Sequence, residues 1–239
     1  MRNVREVFAV FVSFLMFSDL LGPVRTCSDA SGCVRMRTDA YGCTQLRAFF
    51  KRIFKNLQFL KSPNFNERPE NSKISLIVIH SISLPPNVYG NNYVEDFFMN
   101  KLIISDHDYF QEIQDMKVSS HLYIKRTGET IQFVPLNMRA WHAGESSYKG
   151  IKDCNNYSIG IELEGTDNDH FSNQQYQSLI QISKLIINNY PKINKNTIVG
   201  HSNISPGRKT DPGNNFEWNR YCLLYTSPSP RDLSTSRMP

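Results

Sequence analysis

The feature that most constrains this chain is a strand–helix–strand succession in its second half. Ser158–Glu164 alternates, with Ile159, Ile161 and Leu163 on one face and Glu162 on the other, the period of a strand. Ser172-x-x-Gln175 then forms a capping box. It opens a helix in which Tyr176, Leu179, Ile180, Ile186 and Ile187 recur at helical spacing, until Pro191 stops it. Thr197–His201 is a second short strand. An amphipathic helix between two apolar strands has to bury its stripe against a sheet.

The upstream half supplies more of that sheet. Ile74–His80 is mostly β-branched and reads as a buried strand. Asn92-x-x-Glu95 predicts a capped helix carrying Val94, Phe97, Phe98 and Leu102 on one side. Across Lys117–Lys125, Val118, Ser120, Leu122 and Ile124 alternate with Ser119, His121 and Tyr123. Thr127-Gly128 turns the chain into another strand, Thr130–Val134. The expected architecture is α/β or α+β, one central β-sheet with helices packed against it.

Composition separates this domain from its flanks. Residues 61–224 hold 16 Lys and Arg against 17 Asp and Glu, so the chain's net charge of +5 comes from elsewhere. No basic stripe runs along the domain, which argues against nucleic-acid binding. The expected domain is 62–224, with an extension over 1–61 and a disordered, Ser/Pro/Arg-rich tail over 225–239 that reads as foreign to it. Within the extension, Arg2 and Arg5 precede the apolar run 7–17, which has the size of a signal-peptide core but no small-residue cleavage site after it. It is too short to be a stable membrane span. The near-repeat of 25–33 in 37–43 has no helical or strand period and no functional account. The five cysteines form no C-x-x-C pair, so neither a zinc ribbon nor a disulfide framework is expected.

His80 and His201 each close a predicted strand, and Asp211 follows in the loop 206–213. Two imidazoles and a carboxylate around Zn²⁺ leave a fourth position open, the pattern of a catalytic site. On spacing alone, structural histidines remain the alternative. The surrounding text decides further. Ile79-His80-Ser81, Val118–Ile124, Arg139-Ala140-Trp141-His142-Ala143-Gly144, Asn155–Asp167 with Glu162 at its centre, Gly200-His201 and Arg208-Lys209-Thr210-Asp211-Pro212-Gly213 occur in that order. Together they closely resemble the type-2 N-acetylmuramoyl-L-alanine amidases over about 62–222, and within them the branch that acts on 1,6-anhydro-muropeptides in cell-wall recycling.

The resemblance implies a mixed central sheet of the peptidoglycan-recognition type and zinc held by His80, His201 and Asp211. It makes Glu162 the acid/base and Lys209 the cation beside the scissile carbonyl. Trp141 and His142 are expected in the sugar–peptide groove, with Arg208 and Lys117 pairing with acidic groups of the peptide stem. His121 is open between core packing and substrate contact, Glu164 is read as structural, and His107 and His170 as solvated. Ser81 stands where relatives usually have Asn, and Asp153 where a basic residue is expected. The implied protein is a monomeric cytoplasmic hydrolase that cuts the bond between (anhydro-)N-acetylmuramic acid and L-alanine. The alternatives are an exported amidase acting on intact peptidoglycan and a non-catalytic peptidoglycan-binding module.

Overall fold

In a computed structural model of the chain, residues 57–226 are described, with side chains through Cys222. The N-terminal apolar run, the near-repeat and the tail from 227 lie outside the described residues.

Six strands form one mixed sheet: β1 (Leu57–Phe59), β2 (Leu76–Ile82), β3 (Leu122–Ile124), β4 (Thr130–Gln132), β5 (Ser158–Glu164) and β6 (Ile198–Gly200). Their order is β1-β4-β3-β5-β2-β6, and β3–β4 is the antiparallel pair among otherwise parallel neighbours. Every residue of β5 is buried, because it is an inner strand with both faces covered. One face, with Ile77, Ile79, Ile159, Ile161 and Leu163, packs on the long helix α3 (Asn173–Asn189; α1 and α2 are Tyr93–Phe98 and Tyr109–Ile113). The other face carries two smaller apolar clusters, one around Phe98, Phe133 and Tyr123, the other around Leu76, Val78 and Ile204. His80 and Glu162 lie on this second face.

The capping box forms as expected. Ser172 Oγ accepts from Gln175 N at 3.1 Å and Ser172 N donates to Gln175 Oε1 at 2.9 Å, an arrangement worth about 1 kcal/mol. Gln175 Nε2 also donates to the carbonyl of Glu164 at 2.9 Å, which ties the helix start to the end of β5. The helix ends at Asn189, two residues short of Pro191.

Several boundaries move from their expected places. β2 runs on to Ile82 because its ladder with β5 continues through Ser81↔Leu163 and Ile82↔Glu164, so His80 lies within the strand. β6 stops at Gly200, and His201 begins a one-turn helix, α4 (His201–Ile204), in which Asn203 Oδ1 accepts from Gly200 N at 2.8 Å. The expected strand Lys117–Lys125 shortens to β3. Its first half bonds instead to loops, Ser119 N to Trp141 O and Ser119 Oγ to Asn64 O. Asn92 makes no side-chain cap on α1, whereas Asn91 Oδ1 accepts from Tyr93 N at 2.9 Å. The sheet starts upstream of 62, since β1 pairs with β4, and α5 (Trp218–Thr226) runs past 224. No helix among the described residues is long and apolar enough to cross a membrane.

Candidate active site

The sheet register builds the site. His80 of β2 and Tyr123 of β3 are both paired with Glu162 of β5, so the three side chains form one row across three strands. β6 pairs with β2 on the other side, Gly200 against Ile79, so His201 emerges beside His80. The chain then loops out and returns, and Ser202 N donates to Asp211 O at 3.0 Å, which brings Asp211 under both imidazoles.

Three atoms converge there. His80 Nδ1 lies 3.0 Å from His201 Nδ1 and 3.0 Å from Asp211 Oδ2, and His201 Nδ1 lies 3.1 Å from that same oxygen. No hydrogen-bond pattern satisfies three such atoms at once, whereas one cation does. Two nitrogens and one oxygen are a donor set that could hold a divalent metal such as zinc, and an ion about 2.0–2.2 Å from each would reach all three. Burial and the neighbouring charges shift two of these groups, His80 and Asp211, toward their ligating forms. Burial pushes the His80 pKa below the ordinary histidine value, against the pull of Asp211. Burial alone would raise Asp211, but hydrogen bonds and charge from His201 and His80 outweigh it and hold the carboxyl below its usual range.

Glu162 is only 8% exposed, and its Oε2 has no hydrogen-bond partner. Its pKa is pushed well above the carboxylate range, first by burial and then by the charge of Asp211, with Lys209 opposing. Enzymes tune a carboxyl this way to move protons near neutral pH. A His-His-Asp triangle near such a carboxyl is an arrangement that fits metal-assisted hydrolysis.

Known proteins agree with that chemistry. The family described as N-acetylmuramoyl-L-alanine amidase matches residues 70–214. The chain belongs to this family. The 1,6-anhydro-N-acetylmuramyl-L-alanine amidase AmpD of Haemophilus influenzae is 49% identical over 171 residues, which cover 72% of this chain and 93% of that protein. AmpD of Escherichia coli K12 is 45% identical over 163 residues, covering 68% and 88%. A crystal structure of a selenomethionine AmpD derivative matches with a TM-score of 0.70 at 44% identity, over 72% of this chain and 95% of that one.

In this amidase the other expected site residues separate into two groups. Lys209 is exposed on the loop leading to Asp211, and its charge acts on both His80 and Glu162. Trp141 is half-buried, its Nε1 donating to Asn66 Oδ1 at 2.7 Å. Lys117 is exposed on the approach to β3. His142 departs from expectation, and Arg208, though exposed, is also held by the fold. Arg208 Nη2 lies within hydrogen-bond reach of the carbonyls of Ala143 and Glu145 and of Ser205 Oγ, and its two N–H groups clamp this loop. His142 is buried beneath His80, with its Nδ1 at 2.9 Å from His80 Nε2, and does not line an open groove. The cause is Gly160: a Cβ there would meet the His142 ring at 2.5 Å, so the bare glycine on β5 is what admits it.

His121 is a core residue, accepting from Gly160 N at Nδ1 and facing the Met138 carbonyl at Nε2. Burial lowers its pKa to about 3, so it stays neutral. Glu164 is structural, accepting from Gly90 N and Arg126 N. His107 and His170 are exposed. Ser81 donates to Asp167 Oδ1 at 3.2 Å, and Thr210 Oγ1 donates to Asp167 Oδ2, so Ser81 helps anchor the loop that carries Lys209 and Asp211. Asp153 sits exposed in a left-handed turn at φ 57°. Sequence reasoning missed Asn155, Ser158, Gly160 and Asp167. Only Gly160 left a mark, as a break in a β-branched strand.

Proposed function

We propose that this amidase hydrolyses the amide bond between 1,6-anhydro-N-acetylmuramic acid and L-alanine in soluble muropeptides, as a monomeric, cytoplasmic enzyme of cell-wall recycling. The unit that does so spans about 57–226. His80 Nδ1, His201 Nδ1 and Asp211 Oδ2 hold a zinc ion. The observation that carries this reading is their mutual spacing of 3.0–3.1 Å beside a buried carboxyl with one oxygen that has no hydrogen-bond partner. The similarity to 1,6-anhydro-N-acetylmuramyl-L-alanine amidases supports the anhydro-muramyl substrate.

Zn²⁺ at this position supplies Lewis acidity toward water and the scissile carbonyl. Glu162 takes the proton of the attacking water and returns it to the departing alanine nitrogen. Its raised proton affinity suits both transfers. Lys209 places a cation where negative charge develops on the carbonyl oxygen. Trp141 offers a ring face at the rim for the sugar, and Lys117 and Arg208 offer cations to the acidic stem peptide.

The test is mass analysis of products after zinc-loaded full chain acts on anhydro-muropeptide and, separately, on whole sacculi. Free stem peptide plus anhydro-N-acetylmuramic acid from the soluble substrate is the expected result. No peptide release from either refutes the hydrolase. Release from sacculi at a comparable rate replaces recycling with an envelope role.

A further inference from the structure

A zinc-ligating imidazole binds through one bare nitrogen and keeps its proton on the other, so whatever faces that second nitrogen decides the geometry. For His201 the nearer partner is the Ala143 carbonyl, 3.0 Å from Nε2, with Arg208 Nη2 farther off at 3.4 Å and itself donating to that carbonyl. A carbonyl only accepts, so the proton sits on Nε2 and Nδ1 is bare. His80 has neither carbonyl nor carboxylate at Nε2. It has His142 Nδ1, which donates in one tautomer and accepts in the other.

The direction is settled two bonds further on. Ser158 Oγ donates its single proton to the Cys154 carbonyl at 2.6 Å. Toward His142 Nε2, 3.1 Å away, it is left to accept. His142 thus carries its proton on Nε2, offers the Nδ1 lone pair, and receives the Nε2–H of His80. The Nδ1 of His80 stays bare, facing Asp211 and His201.

We propose that His142 is a positioning residue which, oriented by Ser158 and the Cys154 carbonyl, sets the tautomer and angle of His80, so that the His142–Ala143 segment supports both metal imidazoles from behind. The inference rests on the zinc-ligand set proposed above. The segment is built for rigidity. Asn155 Oδ1 accepts from both His142 N at 3.1 Å and Ala143 N at 2.8 Å. Arg208 adds a second donor to the Ala143 carbonyl at 2.8 Å. The His142 ring lies on Gly160 with no room for a side chain between them.

Two measurements on the full chain test this. Nitrogen–proton correlation spectra of the histidine rings in the zinc-loaded protein should show His142 with its proton on Nε2 and a hydrogen-bonded, bare Nδ1. Chelator competition should show zinc affinity falling about 10–100-fold in His142→Leu, the usual range for losing such an outer partner. Ser158→Ala should fall in the same direction. His142→Asn, whose carboxamide oxygen reaches the position of the lost Nδ1, should recover most of the affinity. A His142 proton on Nδ1 overturns the proposal, and that result needs no variant to fold. So does a folded His142→Leu protein that binds zinc like wild type, or His142→Asn as weak as His142→Leu, which would reduce the ring to packing. Wild-type protein that takes up no zinc fails earlier, and removes the ligand set itself.

Discussion

Replacing Glu162 by Gln should stabilise the metal-free fold at neutral pH while abolishing turnover. The carboxyl is nine-tenths buried, one of its oxygens has no partner, and Asp211 adds like charge nearby. Its folded pKa is therefore above the unfolded value of about 4.3. Below that unfolded value both states hold the proton, and wild type and variant should be similarly stable. As pH rises through the window between the two pKa values, the unfolded chain ionises while the folded one resists. Wild type then loses about 1.4 kcal/mol per pH unit relative to Gln. The loss levels off above the folded pKa, where ionised Glu162 bears the penalty of a buried charge, about 2–4 kcal/mol after relaxation. For a domain of this size that is roughly 4–15 °C in melting temperature. The assay is thermal unfolding of both proteins in chelator, from pH 5 to 8, because bound zinc would offset the charge. Activity of the zinc-loaded variant should fall about 10²–10⁴-fold. A Gln variant no more stable than wild type at pH 8, or a gap independent of pH, would refute the desolvation argument.

Other substitutions probe the surrounding parts. Gly160→Ala puts a methyl 2.5 Å from the His142 ring and should cost about 1–3 kcal/mol by overpacking, with weaker zinc binding in the same protein; urea unfolding and chelator competition read the two effects. Lys209→Met removes an exposed cation, so stability should stay within about 0.5 kcal/mol, zinc stoichiometry should be unchanged, and kcat should drop about 10²–10³-fold. Asp167→Ala cuts the links to Ser81 and Thr210 and should speed hydrogen exchange over 208–213, with the β5 core left protected. On acidification, zinc should hold until pH falls below the ordinary histidine value of about 6.5, because burial lowers the proton affinity of His80; release beginning at pH 7 in a chelator titration would contradict this.

What the sequence determined by itself was local and chemical. The capping box at Ser172 and Gln175, the stop before Pro191 and the two faces of 158–164 are set by neighbours a few residues apart, and all appear as read. The placement of Glu162 opposite the apolar face was legible for the same reason, since a strand's period of two assigns a face without knowing its neighbours, whereas the grouping of His80, His201 and Asp211 came from the family resemblance of the motifs and not from any local period. Tertiary structure decided which faces meet. Parallel pairing of β5, β2 and β6 puts a histidine from residue 80 and one from residue 201 in contact at 3.0 Å, a closure that no local period encodes. It also decided that His142, which the motif placed at the substrate, turns inward, and that Arg208, though exposed, is held by a loop. Their partners, a gap over Gly160 and the carbonyls of Ala143 and Glu145, exist only once strands and loops have packed. Hydrogen-bond direction follows the same logic. Whether an imidazole donates or accepts depends on the atom opposite it, and that atom comes from elsewhere in the chain.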